Sequence, residues 1–147
     1  MDNRFSFRKF GIPLLLIVII SVIGSVLYAI GSVGGYYNDF SVLLPLLVLF
    51  GAAAHIAAML LGDRFGAETR WRYLQVLGTG IFMTAAMLLL RERAFSFAIL
   101  LGSDLEASNA DAYAQVYPSL AAIIAFAAAA VCGILSAFSL PQNRKSA

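Results

Sequence analysis

The chain of 147 residues is poor in the side chains from which soluble active sites are usually built. It has one histidine, one cysteine and one tryptophan, and charged residues make up only 12% of it. The lone Cys132 allows no intramolecular disulfide and no paired-cysteine redox or zinc motif. Its setting in the run AFAAAAVCGILSAF reads as that of a small packed side chain. His55, likewise alone, cannot make a metal or haem site that needs several ligands. No Ser/His/Asp set and no phosphate-binding loop can be assembled. The GTG at 78–80 lies inside an apolar run rather than between a strand and a helix. No catalytic residue, metal or cofactor is expected, and the chain reads as a non-enzyme.

Clustered positive charge is also missing. A net charge of +2, spread along the chain, excludes the basic footprint of a nucleic-acid binder. Asp and Glu are absent from the long apolar runs, which argues against an autonomous proton-coupled transporter, since that chemistry needs an acid within the membrane.

What is abundant is apolar surface: 61% of the residues are hydrophobic, and the mean hydropathy is +0.87. A helix crosses the hydrocarbon layer with roughly 20 apolar residues and satisfies its own backbone hydrogen bonds, so helices rather than open sheet are expected. Four spans follow, at about 11–35, 41–62, 73–90 and 118–140. The shorter apolar piece at 94–102 reads as an extension of the third helix or an interfacial segment. The first run follows a basic start but is longer than the roughly 7 to 15 residues of a signal-peptide core, so it reads as an uncleaved anchor. Pro13 suits the first turn of a helix. The fold expected is an all-α four-transmembrane-helix bundle forming one membrane domain.

Eight of the ten cations fall in the amino-terminal arm, the segment after span two and the tail, leaving Arg91 and Arg93 on the other side. The tendency of cations to remain inside predicts cytoplasmic termini in a cell membrane. The interleaved Phe5, Phe7 and Phe10 of the basic arm suit an anionic leaflet. Trp71, Tyr73, Tyr113 and Tyr117 occupy expected positions of an aromatic belt.

Helices associate in lipid through close packing and polar bonds, so small or polar residues at helical spacing mark the expected contact faces. Those faces are Ser21, Ser25, Tyr28 and Ser32 in span one and Gly51, His55, Ala58 and Gly62 in span two. In span three they are Val76, Gly80 and Thr84, and in span four Ala121, Ala125, Ala128, Cys132 and Ser136. Ser25, Tyr28 and His55 are the intramembrane polar candidates. The stripe in span one fits helix packing, or a solute path. An intramembrane histidine is a functional candidate by default, with a hydrogen-bonded structural role as the simpler account.

Polar groups collect in two outer segments. The first, GGYYNDFS, brings Tyr36, Tyr37, Asn38 and Asp39, with glycines that allow a turn. The second brings Arg91, Glu92 and Arg93, then Asp104, Glu106, Asn109 and Asp111. Ser103 with Glu106 matches a capping box, and Ser108 with Asp111 is a similar helix opening. Capping and topology account for most of these acids, and their spacing matches no calcium loop. Together the eleven residues form a candidate surface for a polar ligand or protein partner. The function expected is that of a non-catalytic accessory or scaffold subunit in the lipid bilayer, bound to a protein partner or to copies of itself. The alternative is an oligomeric pore or solute transporter, and a membrane-embedded lipid or quinone enzyme is the weakest reading.

Overall fold

The computed structural model describes residues 7–65, 69–102 and 109–138. They form four helices: α1 (Phe7–Ser32), α2 (Leu43–Phe65), α3 (Thr69–Gly102) and α4 (Ala110–Phe138). All four are long and apolar enough to cross a membrane, and 28–33% of each spanning window is buried within the chain. The rest of each helix faces outward with side chains such as Leu15, Leu49, Met87 and Ile124. An apolar exterior of this extent is stable against hydrocarbon and costly against water.

The helix limits differ from the apolar runs for local reasons. Helix α1 begins at Phe7, so Pro13 lies inside the helix instead of in its first turn, and the carbonyl four residues earlier loses its intrahelical donor. Pro45 is the proline that sits in a first turn, that of α2. The piece at 94–102 continues α3, which reaches 34 residues and therefore about 50 Å. That exceeds the roughly 30 Å hydrocarbon core, so part of α3 reaches beyond it. Helix α4 starts at Ala110, well before Pro118, which it contains. Its cap is Asn109, whose Oδ1 accepts the Ala112 amide at 3.1 Å. Ser103, Asp104, Glu106 and Ser108 lie outside the described residues.

The helices pack in the ring order α1, α4, α3, α2. The α1/α4 contact is the most extensive, and the seam between α1 and α2, neighbours in sequence, is the weakest. The main core joins Ile17 and Tyr28 of α1, Val48 of α2, Phe82 and Leu89 of α3, and Phe126 and Ala129 of α4. Two close approaches require glycine. At Gly31 a methyl would overlap the Ser119 hydroxyl and lie 2.9 Å from the Gln115 carbonyl, which lets α1 press against α4. At Gly78 a methyl would overlap the His55 ring and lie 2.8 Å from the Gly51 carbonyl, which lets α3 press against α2.

The expected contact faces of α1 and α2 are close to those observed: Ser21, Tyr28, Ser32, Gly51, His55 and Ala58 are buried, and Ser25 is half-buried. On α3 the expectation fails. Val76, Gly80 and Thr84 are exposed, and the buried face runs through Gln75, Gly78, Phe82, Ala85, Leu89 and Arg93. Spacing of small residues selects a stripe without regard to what large neighbours need, and here Phe82 and Leu89 supply the core volume. On α4 the buried stripe is Ala122, Phe126, Ala129 and Ala130, one position round from the alanines expected, while Ala121, Ala125, Ala128 and Cys132 are half-buried.

Candidate functional site

Residues 33–42 join α1 to α2 and close one end of the bundle. Val33 and Asn38 pair as an antiparallel bridge, the Gly34 amide donates to the Tyr37 carbonyl at 2.9 Å, and the Asp39 amide returns to the Ser32 carbonyl at 3.2 Å. The segment is thus a tight hairpin folded back on the end of α1, and at Gly34 a methyl would overlap the Gln115 amide that holds it.

Two side chains from other helices hold this hairpin. Gln115, buried in α4, accepts the amides of Tyr36 and Tyr37 on Oε1 at 2.8 and 2.7 Å. Its Nε2 donates back to the Tyr37 carbonyl at 3.1 Å. Arg93, on α3, is 1% exposed and forms a forked pair with Asp39, Nη1 to Oδ2 at 2.6 Å and Nη2 to Oδ1 at 2.7 Å. Nη2 also donates to the buried Ser32 hydroxyl at 3.0 Å. The guanidinium carbon lies 3.9 Å from the centre of the Tyr37 ring, a cation–π contact strengthened by desolvation. The planar fork of arginine matches a carboxylate in a way that a lysine ammonium cannot. The Tyr37 hydroxyl and Arg93 Nε are buried without a hydrogen-bond partner among the described residues.

Below the hairpin, Tyr36, Tyr37, Phe97 and Tyr113 pack on a small cluster of Leu100, Ala112 and Val116. The Tyr113 hydroxyl donates to the Leu100 carbonyl at 3.2 Å, linking the end of α3 to the start of α4. On the α2 side, the buried Tyr28 hydroxyl accepts the Ser41 amide at 2.8 Å. Four polar side chains from three helices, Tyr28, Ser32, Arg93 and Gln115, therefore fix the course of one short loop.

The candidate surface divides accordingly. Arg93 is buried beneath the loop, while Asn38, Arg91, Glu92 and Asp111 are exposed and Asp39 keeps 47% of its side chain open while paired. Tyr36, Tyr37 and Asn109 are half-buried. Asp111 stands in the first turn of α4, where a negative charge is favourable. Asp104 and Glu106 fall in the segment outside the described residues. Gln115 was not among the expected site residues. Its signal was present in the spacing Ala112, Gln115, Ser119, Ala122, which places an amide on an otherwise small-residue face.

The intramembrane polar groups are occupied locally. The Ser21 hydroxyl donates to the Ile17 carbonyl at 2.6 Å and Ser25 to the Ser21 carbonyl at 2.9 Å. Turned onto their own helix, these serines have their hydroxyl donors satisfied within α1 rather than across the bundle. The His55 ring lies where α2, α3 and α4 meet, with Nδ1 2.9 Å from the Gly51 carbonyl and Nε2 3.4 Å from the Thr79 hydroxyl. It stacks on Phe82 at 5.5 Å, and a methyl on Gly133 would come within 2.7 Å of Nε2. No group of three or more His, Cys, Asp or Glu side chains suited to a metal ion occurs among the described residues.

Comparison with protein-family models, curated proteins and solved structures finds no match to this chain.

Proposed function

We propose that this small membrane protein is a non-catalytic accessory or scaffold subunit that displays its 33–42 end to a protein partner. The observation that carries this reading is the clamped hairpin. Arg93 and Gln115 spend buried polar interactions on holding a loop whose outer edge, with Asn38, Asp39, Glu92 and Asp111, stays exposed. A surface ordered before binding loses little conformational entropy on association. On this reading the termini are cytoplasmic, the hairpin is extracytoplasmic and the membrane is the cell membrane, as the distribution of cations suggests. The locally satisfied serines and histidine argue against a solute path through a single copy.

Native mass spectrometry of the protein extracted from its own membrane in mild detergent tests the proposal. The expected species contains a second polypeptide, and replacing Asp104, Glu106 and Asp111 together with their amides weakens that association. A bare homo-oligomer would instead favour a pore assembled from copies of the chain. Association indifferent to the three amides would reduce those acids to a solvated cap.

A further inference from the structure

Beneath the hairpin, Nε of Arg93 and the hydroxyl of Tyr37 are both buried without a hydrogen-bond partner among the described residues. They belong to side chains pressed against each other, the guanidinium carbon standing 3.9 Å over the centre of the Tyr37 ring. The other two guanidinium nitrogens are engaged, Nη1 with Asp39 and Nη2 with Asp39 and Ser32. A phenylalanine ring would also receive the cation on its face, so the ring contact does not account for the hydroxyl. Burying a phenol without a hydrogen bond is costly, and buried tyrosines ordinarily find a partner.

The hydroxyl oxygen lies about 2.8 Å from its own ring centre and Nε about 1.3 Å from the guanidinium carbon. With that carbon over the ring, the two unpartnered atoms stand roughly 3.5 to 6 Å apart. That is too far for a direct hydrogen bond. It is the gap that one water spans, since a water bonds each group at about 2.8 Å and so bridges up to roughly 5.6 Å.

The chemistry of the two atoms selects the occupant. Nε–H can only donate, so the occupant must accept, which excludes a metal cation and an ammonium. Arg93 and Asp39 already neutralise each other, so an anion would be a further buried charge without a counter-charge. A small neutral acceptor is left. Water meets this requirement, because it accepts from Nε–H and exchanges a second hydrogen bond with a hydroxyl that can accept or donate.

We infer that the hairpin clamp contains a buried water site, in which one water accepts from Nε–H of Arg93 and bridges to the hydroxyl of Tyr37. Tyr37 is then a positioning residue for Arg93. Its ring supports the guanidinium from one face, and its hydroxyl, through the water, holds the edge that Asp39 does not reach.

A crystal structure of the full chain in a lipid mesophase, at a resolution that orders water, tests the site. One peak is expected within about 3.2 Å of both Nε and the Tyr37 hydroxyl. No peak there, or a direct bond from either atom to the protein, would overturn the site. Crystals grown with bromide in place of chloride should show no anomalous signal at that position, and a signal would overturn the assignment to a neutral occupant. Tyr37→Phe keeps the ring and removes the hydroxyl. It should abolish the peak and speed solvent exchange of the Arg93 Nε–H proton, read by NMR in micelles, about five- to tenfold, the effect of one hydrogen bond lost. Tyr117→Phe, exposed on α4, should leave both unchanged. A peak or an exchange rate unaltered in Tyr37→Phe, or equally altered in Tyr117→Phe, would overturn the bridge. Should Tyr37→Phe not fold, the wild-type crystal decides alone. None of these results depends on a protein partner being found.

Discussion

Removing either partner of the Arg93–Asp39 pair should have unequal effects, because the two sit in unequal surroundings. Arg93 is 1% exposed and Asp39 is 47% exposed. Asp39→Asn leaves a guanidinium buried against the Tyr37 ring without its counter-charge, and an uncompensated buried charge costs about 3 to 5 kcal/mol. The half-open carboxylate already shares its charge with solvent, so the lower end, about 3 kcal/mol, is expected. Arg93→Met removes the charge and keeps most of the volume, while Asp39 can hydrate through its open side. The loss is then that of the hydrogen bonds to Ser32 and Asp39, about 1 to 2 kcal/mol. The double variant should resemble Arg93→Met alone, giving a coupling equal to the Asp39→Asn cost, about 3 kcal/mol. Denaturant unfolding of the full chain in detergent micelles measures the three values, and amide exchange over residues 33–42 reports whether the hairpin opens. If Arg93→Met proves as costly as Asp39→Asn, or the coupling is under about 0.5 kcal/mol, the buried clamp is not what holds the loop.

Other perturbations separate the contact faces from the surfaces that face lipid. Gly78→Ala should destabilise by about 1 to 3 kcal/mol through overlap with His55, whereas Gly80→Ala, with nothing within 4 Å of the added methyl, should stay within about 0.5 kcal/mol on the same unfolding curves. Gln115→Ala should cost about 1 to 3 kcal/mol by orphaning the Tyr36 and Tyr37 amides, and those two amides should exchange faster than their neighbours. Ser25→Ala should change stability by less than about 0.5 kcal/mol, since its hydroxyl serves only its own helix. A larger loss would mean that Ser25 bonds across the bundle.

The histidine and the arginine show how unevenly the site could be read in advance. His55 stood out because an imidazole is rare in an apolar run; its contact with the Gly51 carbonyl is local to α2, but Thr79 became a partner only when α2 and α3 were set side by side. Arg91 and Arg93 looked alike in sequence, two residues apart on one helix. A separation of two turns side chains to different faces, so one meets solvent and the other passes beneath the hairpin. The pairing of Arg93 with Asp39 spans 54 positions in sequence, and no local pattern foretells it.

Four apolar helices follow from the sequence by itself, because run length against bilayer thickness and the need to satisfy backbone groups in lipid are local requirements. The tertiary structure alone decided the ring order, the rotation of α3 that buries Phe82 and exposes Gly80, the clamp on the hairpin and the weak seam between α1 and α2. Each of these depends on which side chains from distant segments fill the same space, and in lipid, where apolarity no longer separates inside from outside, shape and polar pairing make that choice.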